Sequence, residues 1–157
     1  MTLINVTLPD GTINEYAAGI TCSEVISDAL GRKNGCIAAK VDGVERDMSY
    51  EIHSSCEVYG IPAESDEGMH ILKHSTAHLL AQAVMELYPD AKPTIGPAID
   101  RGFYYDFAME PIAESELKTI QKKMHEIARK NLTIERVELD DESLRLSLIH
   151  ISEPTRP

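Results

Sequence analysis

The chain of 157 residues has no tryptophan, two phenylalanines and three cysteines, Cys22, Cys36 and Cys56, none of them in a CxxC pair. An odd, unpaired cysteine set argues against a disulfide scaffold and for a reduced, cytoplasmic setting. No apolar run approaches the roughly 18 residues a membrane span needs, and the first twenty residues show no secretory pattern. Positive charge is also scarce. The net charge is −11, with 4 basic and 11 acidic side chains in residues 1–66 and 11 and 15 in the rest. Nonspecific nucleic-acid binding is driven by counterion release on basic patches, so a chain this acidic is a poor general nucleic-acid binder by itself. Any RNA contact needs a local basic surface or another part of the protein.

What is present falls into two patterns. The first 62 residues read as short strands around one helix. In "INVTLPDGTINEY", Ile4, Val6 and Leu8 alternate before the turn Pro9-Asp10-Gly11, and Ile13 and Tyr16 follow, which is a hairpin signal. "TCSEVISDALG" predicts a helix capped by Thr21 or Ser23, with Glu24 in its first turn, Val25, Ile26, Ala29 and Leu30 as its buried stripe, and Gly31 as its stop. "CIAAKVDGVERDM" predicts two strands around Asp42-Gly43, and "SCEVYGI" a last strand. The fold class is α+β, with a β-grasp (ubiquitin-like) sheet crossed by one helix over residues 1–62.

Residues 63–68 read as a linker, and residues 69–146 as the opening of a second α+β domain. A helix is predicted from about Glu67 to Leu87, stopped by Pro89, with Leu72, Leu79, Ala83 and Leu87 as its core stripe. "GFYYDF" reads as an aromatic strand. Residues 113–131 read as a second long helix striped by Leu117, Ile120, Met124 and Ile127, and "LTIERVEL" as a further strand.

In "KHSTAHLLAQAV", residues 73–84, His74 and His78 sit four apart and leave the helix nearly opposite its predicted leucine stripe. Three readings fit this spacing: solvated surface residues, a metal pair, or one wall of a reaction cleft. The metal pair needs a third ligand, and Ser75 and Thr76 stand where an HExxH motif would carry its glutamate.

The segment "KHSTAHLLAQAVMELYPDAK…TIGPAIDRGFYYDF…IQKKMHEIARKNLTIERVEL" resembles the start of the editing domain of threonyl-tRNA synthetases. "INVTLPDGTINEYAAGITCSEV" resembles the small TGS domain that precedes it in that family, and the resemblance runs from about residue 3 to residue 143. It implies a truncated editing domain that in the whole enzyme hydrolyses seryl ester from the 3′ end of tRNA(Thr). Serine lacks one methyl of threonine, and such a difference is worth only about 1–3 kcal/mol of discrimination, which makes a second, hydrolytic site physically sensible. By this resemblance His74 and His78 orient the attacking water and the terminal ribose, and Gly96 and Tyr105 line the same pocket. For Tyr104 and Tyr105 the plain alternative is that one packs and the other faces water.

The family's Cys-x-x-x-His element, its class II motifs and its zinc-ligand set have no counterpart here. The resemblance therefore implies an N-terminal fragment, inactive alone, with no cofactor of its own. ATP, Mg and Zn, and a homodimer contact, are implied for the parent's other domains. Residues 147–157, "SLIHISEPTRP", depart from the family pattern and read as a non-native tail. A free-standing trans-editing hydrolase would need the Cys-x-x-x-His element. A regulatory TGS module of the GTPase kind would show GxxxxGK[ST], which the sequence lacks.

Overall fold

The computed structural model describes residues 2–132 and 140–141. These fall into two compact units that part between Lys73 and His74. The expected strand over residues 132–139 and the expected tail at 147–157 lie outside the described residues, apart from Leu132.

In the first unit, β1 (Leu3–Thr7) and β2 (Ile13–Ala17) pair antiparallel, with Thr7 opposite Ile13 and Leu3 opposite Ala17. Their turn is closed by the Thr12 N–H donating to Asp10 Oδ1 at 2.9 Å, and Gly11 adopts the positive φ of 83° that the tight reversal needs. Alternation along β1 buries Ile4 and Val6. After β3 (Ile20–Thr21), α1 (Cys22–Leu30) begins under a capping box. Thr21 Oγ1 accepts from the Glu24 N–H at 3.2 Å, and Glu24 Oε2 accepts from the Thr21 N–H at 2.9 Å. Gly31, at φ 86°, ends the helix by donating its N–H to Ser27 O at 2.9 Å.

The chain continues through β4 (Cys36–Val41), β5 (Val44–Arg46), β6 (Glu51–Ile52) and β7 (Cys56–Pro62). β6 pairs with β3, and the main sheet runs β2-β1-β7-β4-β5, with β1 and β7 parallel and the other neighbours antiparallel. The core gathers Ile4, Val6, Cys22, Val25, Ile26, Ala39, Val41, Ile52, Cys56 and Val58. Full burial of each Val or Ile contributes about 1.5–3 kcal/mol. The helix stripe differs from expectation: Cys22, Val25 and Ile26 are buried, whereas Ala29 and Leu30 are exposed. The buried side chains of this nine-residue helix all lie within its first five residues.

Helix α2 (Asp66–Leu87) starts within the segment read as linker, so residues 66–68 form its first turn. Ser65 makes this start possible: its hydroxyl accepts from the Gly68 N–H at 3.0 Å and donates to Pro62 O at 2.7 Å. Lys40 and Glu67 form an ion pair beside it. Gly68 is buried so closely on Pro62 that a Cβ there would overlap the Pro62 carbonyl.

In the second unit, the buried line of α2 is Ala77, Ala81, Ala83 and Val84. Of the expected stripe, Ala83 is buried and Leu87 packs on the core, while Leu72 is 39% exposed. Val84, Ala91 and Ile120 form the core centre, with Leu80, Tyr88, Phe107 and Met124 against it. β8 (Lys92–Pro93) pairs with a later strand, and the hairpin of β9 (Ala98–Ile99) and β10 (Gly102–Phe103) follows it. β11 (Phe107–Ala108) is the strand that pairs with β8. "GFYYDF" is therefore not one strand: residues 104–106 separate β10 from β11. A 3-10 turn, Glu114–Glu116, leads into α3 (Leu117–Arg129). Ile120 and Ile127 are buried and Met124 packs on the core, but Leu117 is exposed. The two helices are tied by Lys123 Nζ and Glu86 Oε2 at 2.9 Å, and by the Tyr88 hydroxyl donating to Glu116 Oε1 at 3.0 Å. Among the described residues, no helix is long and apolar enough to cross a membrane.

Candidate functional site

His74 and His78 lie one turn apart on α2, both exposed. Their Nε2 atoms are 3.0 Å apart, and the rings meet edge to face, with centroids 4.6 Å apart at 86°. One imidazole therefore donates from Nε2 and its neighbour accepts there; a neutral accepting ring keeps its own proton on Nδ1. The pair holds a single proton between two nitrogens and has its outer edges open to a ligand or water. It leaves the helix on the flank of the alanine line: at about 100° per residue, the buried face sits closer to the histidines than a leucine-only stripe predicts.

Gly96 and Tyr105 are brought together. A Cβ at Gly96 would overlap the Tyr105 ring, so only glycine lets the ring lie flat on this backbone. Tyr105 also stacks on Phe107, with centroids 4.9 Å apart at 24°. Tyr105 is half-buried and Tyr104 is 48% exposed, so the second tyrosine packs and the first faces solvent. The brace for this contact is Thr94, which the sequence reading did not single out. Its N–H and Oγ1 both donate to Asp106 O, at 3.0 and 2.9 Å, and the Asp106 N–H donates to Ile95 O at 2.8 Å. A threonine two residues before a Gly-Pro bend was the available signal. Among the described residues, no hydrogen bond or ring contact joins the histidine pair to the Gly96–Tyr105 pair.

The cysteines play no part in this arrangement. All three are free and lie in the first unit. Burial pushes the Cys22 thiol up to about 11 and raises those of Cys36 and Cys56, so each is held as the thiol, the weak nucleophile. Among the described residues, no three His, Cys, Asp or Glu side chains converge as a metal site.

No family model matches the chain. Individual proteins do. A threonine–tRNA ligase of Aromatoleum aromaticum is 44% identical over 134 residues, covering 84% of this chain and 21% of the relative. One from Francisella tularensis subsp. novicida is 46% identical over 136 residues, covering 84% of this chain and 21% of the relative. Over most of its length, the chain is homologous to threonine–tRNA ligases. It spans about a fifth of the length of these ligases. The homology agrees with the resemblance carried by the histidine, Gly-Pro and aromatic segments.

Proposed function

We propose that the chain is the N-terminal portion of a threonine–tRNA ligase, composed of a TGS β-grasp domain and the opening of an editing domain. The sheet order, with its parallel central pair and single crossing helix, supports the β-grasp reading of the first unit. Homology to ligases supports tRNA as the substrate class, and on this reading the whole enzyme attaches threonine to tRNA(Thr) in the cytoplasm. ATP, Mg, Zn and the dimer contact belong, on this reading, to parts of the ligase outside this chain.

The observation that carries the editing role is the Nε2-to-Nε2 contact of His74 and His78 on an exposed helix flank. Water attacks the seryl ester carbonyl, its proton passing toward the free Nδ1 of the imidazole that donates from Nε2. The ester C–O bond then breaks and the ribose hydroxyl leaves with a proton, giving free serine and tRNA. The second ring fixes the tautomer of the first and binds the ribose edge. On this reading Gly96 and Tyr105 line the same pocket. The opposite wall, with the Cys-x-x-x-His element, lies further along the ligase, so this portion alone has little hydrolytic activity.

The test uses the whole ligase carrying His74→Ala or His78→Ala. Seryl-tRNA hydrolysis should fall by about 10²–10⁴, the range for losing a positioned acid or base, while threonylation holds. Because both side chains are exposed, stability should change by no more than about 0.5 kcal/mol. Unchanged hydrolysis would return the substituted histidine to the solvated surface, and a large fall in melting temperature would make it structural.

A further inference from the structure

Basic side chains are scarce in this chain and collect on one helix. Residues 117–130, α3 and its C-cap, hold five of the 15 lysines and arginines and one of the 26 acids, a net +4 in a chain of −11. At about 100° per residue, Lys118, Lys122, His125 and Arg129 fall within about 60° of one another, opposite the core-facing Ile120, Met124 and Ile127. All four are exposed, and they form a line about 16 Å long. Among the described residues, no ion pair engages Lys118, Lys122 or Arg129. The nearby acids are held on other flanks. Lys123 Nζ takes Glu86 and Glu126, at 2.9 and 3.6 Å, and the Tyr88 hydroxyl takes Glu116 at 3.0 Å.

A row of cations with no acid among them attracts a polyanion, and each phosphate it neutralises releases a condensed counterion. Two polyanions fit such a row. A helix that lies on an anionic membrane buries its apolar face in the bilayer, and the apolar face of α3 is already taken up by the core. A nucleic-acid backbone needs the polar face alone. Homology to tRNA ligases selects RNA, so the choice of partner rests on the function proposed above, while the surface itself rests on charge. We infer that the exposed face of α3 lies along an RNA phosphate backbone through Lys118, Lys122 and Arg129, with His125 between them as a further donor. Such contacts position a strand without reading its sequence, so recognition of a particular tRNA stays with other parts of the ligase.

The experiment titrates the full chain into a fluorescently labelled tRNA(Thr) transcript and reads anisotropy at salt from about 20 to 200 mM. Lys118→Glu with Lys122→Glu is set against Arg32→Glu with Lys33→Glu, an equal change in net charge at exposed positions of the first unit. The α3 variant should bind about tenfold or more weakly, and its slope of log K against log salt should be shallower by about 1–2, the share of two phosphate contacts. The control should stay close to the parent chain. Should the α3 variant fail to fold, Arg129→Gln serves, with a slope shallower by about 0.7–0.9. Equal weakening by variant and control would overturn the inference, as would unchanged binding by the α3 variant or no binding by the parent at the lowest salt. Binding to vesicles of phosphatidylcholine and phosphatidylserine, with none to tRNA, would assign the face to a membrane instead. The editing role stands or falls separately. Full seryl-tRNA hydrolysis by the histidine variants would remove that role and leave this surface standing, and unchanged tRNA binding by the α3 variant would do the reverse.

Discussion

At the scale of single residues, the two site pairs were legible to different degrees. His74 and His78 announce themselves, because a spacing of four on a helix puts two rings in reach of each other, and the structure closes them to 3.0 Å. Gly96 and Tyr105 could not be joined by spacing, since nothing in the eight intervening positions says that the chain folds back there. Their contact depends on Thr94 clamping Asp106, a backbone event that no side-chain pattern encodes. Gly96→Ala should therefore force the Tyr105 ring aside, at a cost of about 1–3 kcal/mol for overpacking, read as a lower urea midpoint with the slope unchanged. Tyr105→Leu in the same chain should recover part of that loss. Equal stability of Gly96→Ala and the parent chain would show that the ring does not rest on this backbone.

At the scale of elements, signals with a local cause were read correctly and those set by packing were not. The hairpin turn at Asp10-Gly11, the Thr21 cap and the Gly31 stop each arise within a few residues, and each is found in place. The face of α2 is decided by its neighbours instead. A count of leucines favours Leu72 and Leu79, whereas close approach selects the small side chains of Ala77 and Ala81. The aromatic run fails as a single strand for a similar reason: β10 and β11 each pair for two residues with different partners. The capping box gives two expectations. Thr21→Ala should lower stability by about 0.5–2 kcal/mol in chemical denaturation. Hydrogen bonds from the Thr21 N–H and hydroxyl hold the Glu24 carboxyl below its ordinary 4.5. A carboxyl depressed in the folded state stabilises fully above its unfolded value and loses that contribution as pH falls through the folded one. The gap in melting temperature between the parent chain and Glu24→Gln should thus be present at about pH 7 and narrow below about pH 4.5. A gap that stays constant down to about pH 3 would mean that the carboxylate charge adds nothing to the cap.

At the scale of the whole molecule, the acidic balance argues against general nucleic-acid binding by this chain alone, yet the relatives are tRNA ligases. The two facts are compatible when tRNA recognition by those ligases rests on parts other than the fifth of their length that this chain matches. The first unit has its own core, sheet and capped helix, all within residues 2–73. Isolated residues 1–73 should therefore keep slow hydrogen exchange in β1, β4 and β7, and uniformly fast exchange would contradict an independent fold. Composition could not reveal the division between Lys73 and His74, because one continuous helix, α2, runs across it. The central claim, that this chain opens a threonine–tRNA ligase, is tested most directly by sequencing the native transcript through and beyond the codons for residues 140–157. If the chain opens a threonine–tRNA ligase, the frame departs from "SLIHISEPTRP" near residue 147 and continues into a Cys-x-x-x-His element and then a synthetase core. A native stop codon directly after Pro157 would contradict it.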